Sequence, residues 1–295
     1  MELQGRVKDL QDQGLGLAAI SYDPPATLAD FSRRRGITFP LLSDVGSVII
    51  KKFGLLNSLP EDALGLNKDD PAVVADVQKY VSVVRPNAAM VGIAFPGTLI
   101  LDRKGRVTSR FFEDVYIERN TVSSVMMKLG ATTMPVAATK VSTGQLEITT
   151  YPSDPAVAPG NRFSLAIAIA PHARIHVYAP GATSYRVVGL TMAPQPFVRV
   201  LPIRYPDSET YYFKPLKERV PVYQKPFTLV QDVILEGTPQ AQAALRGKDA
   251  ITLGGTLEYQ ACSDTVCFNP TTVPLSWTLP LRALVTERPA RPQQR

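Results

Sequence analysis

Proline constrains this chain more than any other residue type. There are 26 prolines in 295 residues, and most of the excess falls beyond Pro135. Proline lacks an amide donor and fixes φ, so it breaks helix interiors and central strands. The second half is therefore expected as short strands and turns, and the first half is free to mix helices with strands. At this length two domains are the default expectation.

The local patterns agree with that division. Leu3, Val7 and Leu10 lie at helical spacing before Gly14, and LGLAAISYD then reads as a buried strand closed by Asp23-Pro24-Pro25. A helix is expected over 26–35 before Gly36, a short strand and turn over ITFPLLSD, and a helical turn over 47–53. Residues 57–89 read as a polar insertion with a short helix over 71–83. Gly97–Asp102 and Arg106–Phe111 flank Arg103-Lys104-Gly105 as a hairpin, and a helix over 118–129 ends at Gly130. These alternating elements predict an α/β layer domain over 1–130.

Residues 131–145 read as a linker. Strands are then expected over 146–151, 162–170, 173–179, 186–192, 197–204, 226–235, 251–259 and 271–279, separated by Pro/Gly turns. That spacing predicts an antiparallel, all-β sandwich over 146–283, followed by a disordered tail over 284–295.

Residues 1–137 carry 16 basic against 15 acidic side chains, and 138–295 carry 16 against 11. The surplus is scattered singly, without a basic stripe, so no nucleic-acid partner is expected. No apolar run approaches the ~20 residues of a membrane-spanning helix. No signal peptide is visible behind Met1.

The only two cysteines, Cys262 and Cys267, stand in the run YQACSDTVCFNP. A pair so close can open and close without reorganising a domain. A structural disulfide is the bland alternative, but so short a loop gains little from closure. Asp264 between the cysteines opposes a thiolate by like charge, which suits a protein attacked while oxidised. With His172 and His176 the cysteines would make a four-ligand zinc set if the fold gathered them. The two histidines sit on a strand-like segment at i and i+4, and on a strand that spacing puts both on one face. The expectation is surface or hydrogen-bonded histidines, with no metal and no cofactor.

Two resemblances bear on these residues. Gly16–Asp23, Phe39–Asp44, Phe53-Gly54 and Phe95–Asp102 make residues 1–130 similar to the peroxiredoxin/redoxin branch of the thioredoxin superfamily. The family implies that Pro96 lies next to the active site and is a candidate cis-proline. Its active cysteine lies at the start of the helix whose tail matches ELQGRVKDLQ. The expectation is thus a truncated thioredoxin-like domain, without its first strand and active-site loop and inert for lack of its cysteine.

His176–Gly181, Tyr185-Arg186, Gly189-Leu190, the cysteine run, Pro270 and Val273-Pro274-Leu275 make residues 140–282 similar to the N-terminal domain of thiol:disulfide interchange protein DsbD. DsbD itself has one more residue between its cysteines. The resemblance implies an immunoglobulin-like fold for the sandwich and a reversible Cys262–Cys267 disulfide in a periplasmic or otherwise exported protein. It would carry reducing equivalents between a thioredoxin-fold partner and oxidised protein substrates, with Cys267 as the point of attack and Cys262 as the resolving thiol. In the family an aromatic loop caps the pair. Asp207–Phe213 is the candidate here, with Tyr211, Tyr212 and Phe213 as possible caps and Tyr178, Tyr185, Tyr259 and Phe268 as possible shields. The alternative is a non-enzymatic protein-binding sandwich with a structural disulfide and a degenerate redoxin scaffold.

Overall fold

A computed structural model describes residues 2–66, 74–112, 118–131, 137–213 and 217–283. The chain divides into two compact units, residues 1–131 and 132–295. Among the described residues no helix is long and apolar enough to cross a membrane.

The N-terminal unit runs α1 (Glu2–Gly5), α2 (Val7–Asp12), β1 (Ala19–Ser21), α3 (Pro25–Arg35), β2 (Leu41–Ser43), α4 (Val48–Lys52), α5 (Leu59–Ala63), α6 (Val74–Val83), β3 (Gly97–Leu101), β4 (Val107–Phe112), β5 (Arg119–Asn120) and α7 (Val122–Lys128). The helix expected over 2–13 is split at Arg6. Helix α3 starts on Pro25, where proline's missing donor costs nothing, and stops at Gly36, whose φ of 60° only glycine adopts freely. Strands β1 and β2 pair in parallel, Ile20 opposite Leu42. Strands β3 and β4 pair antiparallel. Their turn is held by Asp102, whose carboxylate accepts the amides of Lys104 and Arg106 at 2.8 and 2.9 Å. These alternating elements are those of a thioredoxin-like α/β region.

The helix expected over 118–129 is instead β5 and α7. Thr121 caps α7 by accepting the Ser124 amide at 3.1 Å. No cis peptide bond occurs among the described residues, so the bond before Pro96 is trans, the isomer that X–Pro favours by about 0.5–1 kcal/mol. Of the helix expected over 71–83, residues 71–73 lie outside the described residues.

The C-terminal unit contains β6 (Thr139–Ser142), β7 (Leu146–Pro152), β8 (Asn161–Pro171), β9 (His176–Tyr178), β10 (Gly189–Met192), β11 (Val198–Val200), β12 (Glu209–Phe213), β13 (Glu218–Tyr223), β14 (Phe227–Leu235), α8 (Pro239–Leu245), β15 (Ala250–Tyr259), β16 (Ala261–Cys262) and β17 (Thr271–Pro280). One sheet has the order β11-β14-β8-β7-β6, and β10-β15-β17 and β12-β13-β9-β16 form the others. Strand β6 falls where the sequence reads as a linker, pairing Val141 with Ile148. The tail over 284–295 and residues 132–136 lie outside the described residues.

The core shows why these residues make strands. In β17, Val273, Leu275, Trp277 and Leu279 are buried while the residues between them are exposed, the period-2 pattern of a sheet with one wet face. They meet Leu146, Ile148, Phe163, Leu165, Ile167, Leu229, Val233, Leu253 and Leu257 in one apolar cluster. Each such side chain contributes about 1.5–3 kcal/mol on burial. This β-rich sandwich, interrupted by α8 where an all-β unit was expected, carries the cysteines.

Candidate functional site

The site starts from the register of two short strands. Strand β16 pairs antiparallel with β9, so Cys262 lies opposite His176 and Ala261 opposite Val177. Directly opposed residues project to the same sheet face, and so does the residue two further along. Cys262, His176 and Tyr178 therefore share a face.

Beyond Cys262 the chain makes a tight turn. The Ser263 amide donates to the Val266 carbonyl at 2.8 Å, and Ser263 Oγ accepts the Val266 amide at 3.0 Å. Cys262 and Cys267 come opposite each other in an antiparallel bridge and form a disulfide. The turn is braced when the Phe268 amide donates to Ala261 O at 2.9 Å and Gln260 Nε2 donates to Phe268 O at 3.2 Å.

The two sulfurs are not equivalent. Cys262 is 0% exposed, whereas Cys267 is exposed, as is its neighbour Val266. The Tyr178 hydroxyl donates to Cys262 Sγ at 3.0 Å and lies 3.7 Å from Cys267 Sγ. Burial, reinforced by Tyr185, pushes the Tyr178 phenol well above its ordinary pKa, so it stays a donor. Tyr185 stacks on Tyr178 at 3.9 Å between ring centroids, 8° from parallel, and donates its hydroxyl to Glu218. Burial and then Glu218 raise the Tyr185 pKa.

The segment read as a capping loop is strand β12, hairpinned to β13. Of its aromatics, Tyr211 reaches the site. Its hydroxyl donates to Asp264 at 2.9 Å, and its ring lies 4.5 Å from that of His176. Tyr212 turns outward beneath the Arg219 guanidinium, and Phe213 is 6.5 Å from the Tyr211 ring. Phe268 and Tyr259 pack against the main sandwich core rather than the pair.

His176 is buried beside Tyr178 and Tyr211, not on the surface. Burial lowers its pKa, and Asp264 opposes that shift. His172 does not share its strand. A turn at Ala173-Arg174, with Arg174 at φ 64°, separates them. His172 instead contacts Gly144 O and Glu147 at 3.2 and 3.3 Å. The four-ligand zinc arrangement does not assemble. Among the described residues no cluster of three or more His, Cys, Asp or Glu is placed to hold a metal ion.

Glu218 went unread in the sequence because its strand did. The alternation of Val220 and Val222 was a strand signal, but Pro221 between them demotes it. Here Pro221 sits opposite Thr210, and its carbonyl accepts the Ala179 amide at 3.0 Å.

A buried and an exposed cysteine thus close one short bridge beneath a tyrosine hydroxyl. Residues 148–276 match the family of thiol:disulfide interchange protein DsbD, N-terminal. Residues 1–110 match the AhpC/TSA family. Both are thiol redox families, and the DsbD-like region contains the whole cysteine site. No curated protein matches the chain.

Similar solved structures include the N-terminal periplasmic domain of ScsB from Proteus mirabilis, 10% identical over 50% of this chain and 51% of that one, with a TM-score of 0.34. The chain thus spans about half the length of that domain. The Neisseria meningitidis DsbD N-terminal domain in the reduced form is 11% identical over 39% of this chain and 82% of that one, TM-score 0.27. The GAE domain of GGA2p from Saccharomyces cerevisiae is 8% identical over 49% and 97%, TM-score 0.27.

Proposed function

We propose that the DsbD-like sandwich is a thiol–disulfide exchange module of an exported, periplasmic protein. It passes reducing equivalents between a thioredoxin-fold partner and oxidised protein substrates. Residues 1–261 contain no cysteine, so within this chain the thiol chemistry belongs to Cys262 and Cys267. The observation that carries this reading is the unequal exposure of the two sulfurs in a region matching that family.

A partner thiolate attacks the accessible Cys267 sulfur, and Cys262 leaves as a thiolate that receives the Tyr178 hydrogen bond. The partner's second thiolate then attacks its own sulfur in the mixed disulfide and releases Cys267. In the opposite direction Cys267 attacks a substrate disulfide and Cys262 resolves the intermediate. Tyr211, tied to Asp264, covers the pair from the β12 side.

A short bridge suits this better than a staple. By the chain-entropy estimate a loop of this size contributes about 2 kcal/mol, against about 4.7 for a 100-residue loop. Equilibration against glutathione and thioredoxin buffers tests the reading. A reduction potential near that of thioredoxin, about −270 mV, supports exchange, whereas one below about −300 mV makes the bridge structural and the sandwich a binding module.

A further inference from the structure

Behind the disulfide a line of polar groups leads to the edge of the sandwich. Cys262 Sγ is buried and lies beside the Tyr178 hydroxyl, the Tyr178 hydroxyl also hydrogen-bonds to that of Tyr185, on whose ring Tyr178 stacks, and Tyr185 donates to Glu218. Glu218 opens β13 opposite Phe213 and is only half-buried. A thiol closed off from water ionises reluctantly, because burial in apolar surroundings raises its pKa. Cys262 must nevertheless become a nucleophile whenever it resolves a mixed disulfide at Cys267. A phenol that stays protonated is a poor final acceptor, yet it can receive one proton while handing on another.

We propose that Glu218 accepts the Cys262 proton through Tyr178 and Tyr185, a role that rests on the exchange reading above. The Cys262 proton moves to Tyr178 Oη, the Tyr178 proton to Tyr185 Oη, and the Tyr185 proton to the Glu218 carboxylate. The Cys262 sulfur keeps its electron pair and attacks Cys267 Sγ. The Cys262–Cys267 bond forms, the bond from Cys267 to the substrate sulfur breaks, and that sulfur departs as a thiolate. Over the cycle the two cysteines lose two electrons and the substrate disulfide gains them, so no further oxidant enters.

The other titratable groups around the pair are His176 on β9, Tyr211 on β12 and Asp264 in the cysteine turn. Asp264 is engaged by Tyr211 rather than by Tyr178. Glu218 and Tyr185 are therefore positioning residues whose effect reaches the sulfur through Tyr178.

The test is stopped-flow reaction of the reduced full chain with 5,5′-dithiobis(2-nitrobenzoate). Attack by Cys267 releases a first thionitrobenzoate in a phase that depends on reagent concentration. Resolution by Cys262 releases a second in a phase that does not. Glu218→Gln and Tyr185→Phe are each expected to lower the ratio of second-phase to first-phase rate at neutral pH roughly tenfold, a modest share of what a positioned base supplies. The deficit narrows as pH rises beyond the ordinary thiol pKa of about 8.5, because a growing share of the thiol ionises without help. Glu218→Asp recovers part of the rate.

An unchanged ratio in both variants overturns the proposal, and so does a deficit that is the same at every pH, the mark of a structural role. Thermal melts of both variants identify loss of folding, and either variant that stays folded carries the test. A wild-type chain with no second phase overturns the exchange reading itself, a result separate from the other two.

Discussion

The two units handle similar apolar residues differently. In the sandwich, period-2 strands close layers over Leu146, Leu165, Leu229, Leu257 and Leu279, all 0% exposed. In the N-terminal unit β1 with β2 and β3 with β4 form two separate pairs, and Ile20, Leu42 and Leu101 lie on them nearly half exposed. Among the described residues every exposed large apolar side chain falls in the N-terminal unit except Val200, Tyr212 and Val266. Apolar content alone therefore does not make a core. Burial requires a second layer facing each strand, and the sandwich supplies one through its own folding. Cys262 packs beside it in a smaller cluster with Tyr178, Val220 and Val222.

The largest contrast should appear in paired truncations. Leu257→Ala is expected to destabilise the sandwich by about 2–5 kcal/mol, as for other buried leucines. Leu42→Ala, on the exposed strand, should stay within about 0.5 kcal/mol. Denaturant melts of the full chain, read separately by hydrogen exchange in each unit, measure both. Equal costs would erase the distinction.

A smaller effect is expected at the site. Tyr178→Phe removes the donor to Cys262, and hydrogen bonds to a charged group contribute about 1.5–3 kcal/mol, so reduction by thioredoxin should slow at least roughly tenfold. Tyr212→Phe, at an exposed position of the same sheet, should leave the rate unchanged. A loss in both variants would mean that the whole end of the sandwich, not one hydroxyl, governs exchange.

The smallest effects concern pH. Burial lowers the His176 pKa, so the folded sandwich binds fewer protons than the unfolded chain. Its contribution is fully present above the ordinary histidine pKa of about 6.5 and is lost as pH falls through the lowered value. Replacing His176 with Phe should flatten the stability of the sandwich across that window. In the N-terminal unit burial pushes the Asp44 carboxyl upward, but the amides of Ile50, Ile49 and Val48 outweigh it and hold the pKa below the usual value. That contribution is present above about pH 4 and fades as pH falls further. Asp44→Asn should remove this acid limb and leave the His176 window intact, as chemical melts from pH 3 to 7 would show.

How much of this was legible in the sequence depended on whether the signal was local. Strands β7, β8, β15 and β17 follow from alternation, and the β3–β4 hairpin from its basic-glycine turn. The β12–β13 hairpin did not, because Pro221 contradicts its own strand, and the neighbour that its carbonyl meets, Ala179 beside β9, is distant in sequence. Nor could residue spacing show that His176 and His172 part at a turn, or that Cys262 and His176 become register partners 86 positions apart. The cysteine pair was readable, whereas its unequal burial depends on β9 and β13, supplied from distant parts of the chain.

The most direct measurement is a mixed-disulfide trap. The reduced single-cysteine variants Cys262→Ser and Cys267→Ser are each mixed with a thioredoxin whose one remaining cysteine is activated as a thionitrobenzoate disulfide. Covalent complex is then quantified by mass spectrometry. Rapid capture through Cys267 in the Cys262→Ser protein, with little or none through Cys262 in the Cys267→Ser protein, is the expected result. Equal capture by both variants, or capture through Cys262 alone, would contradict it.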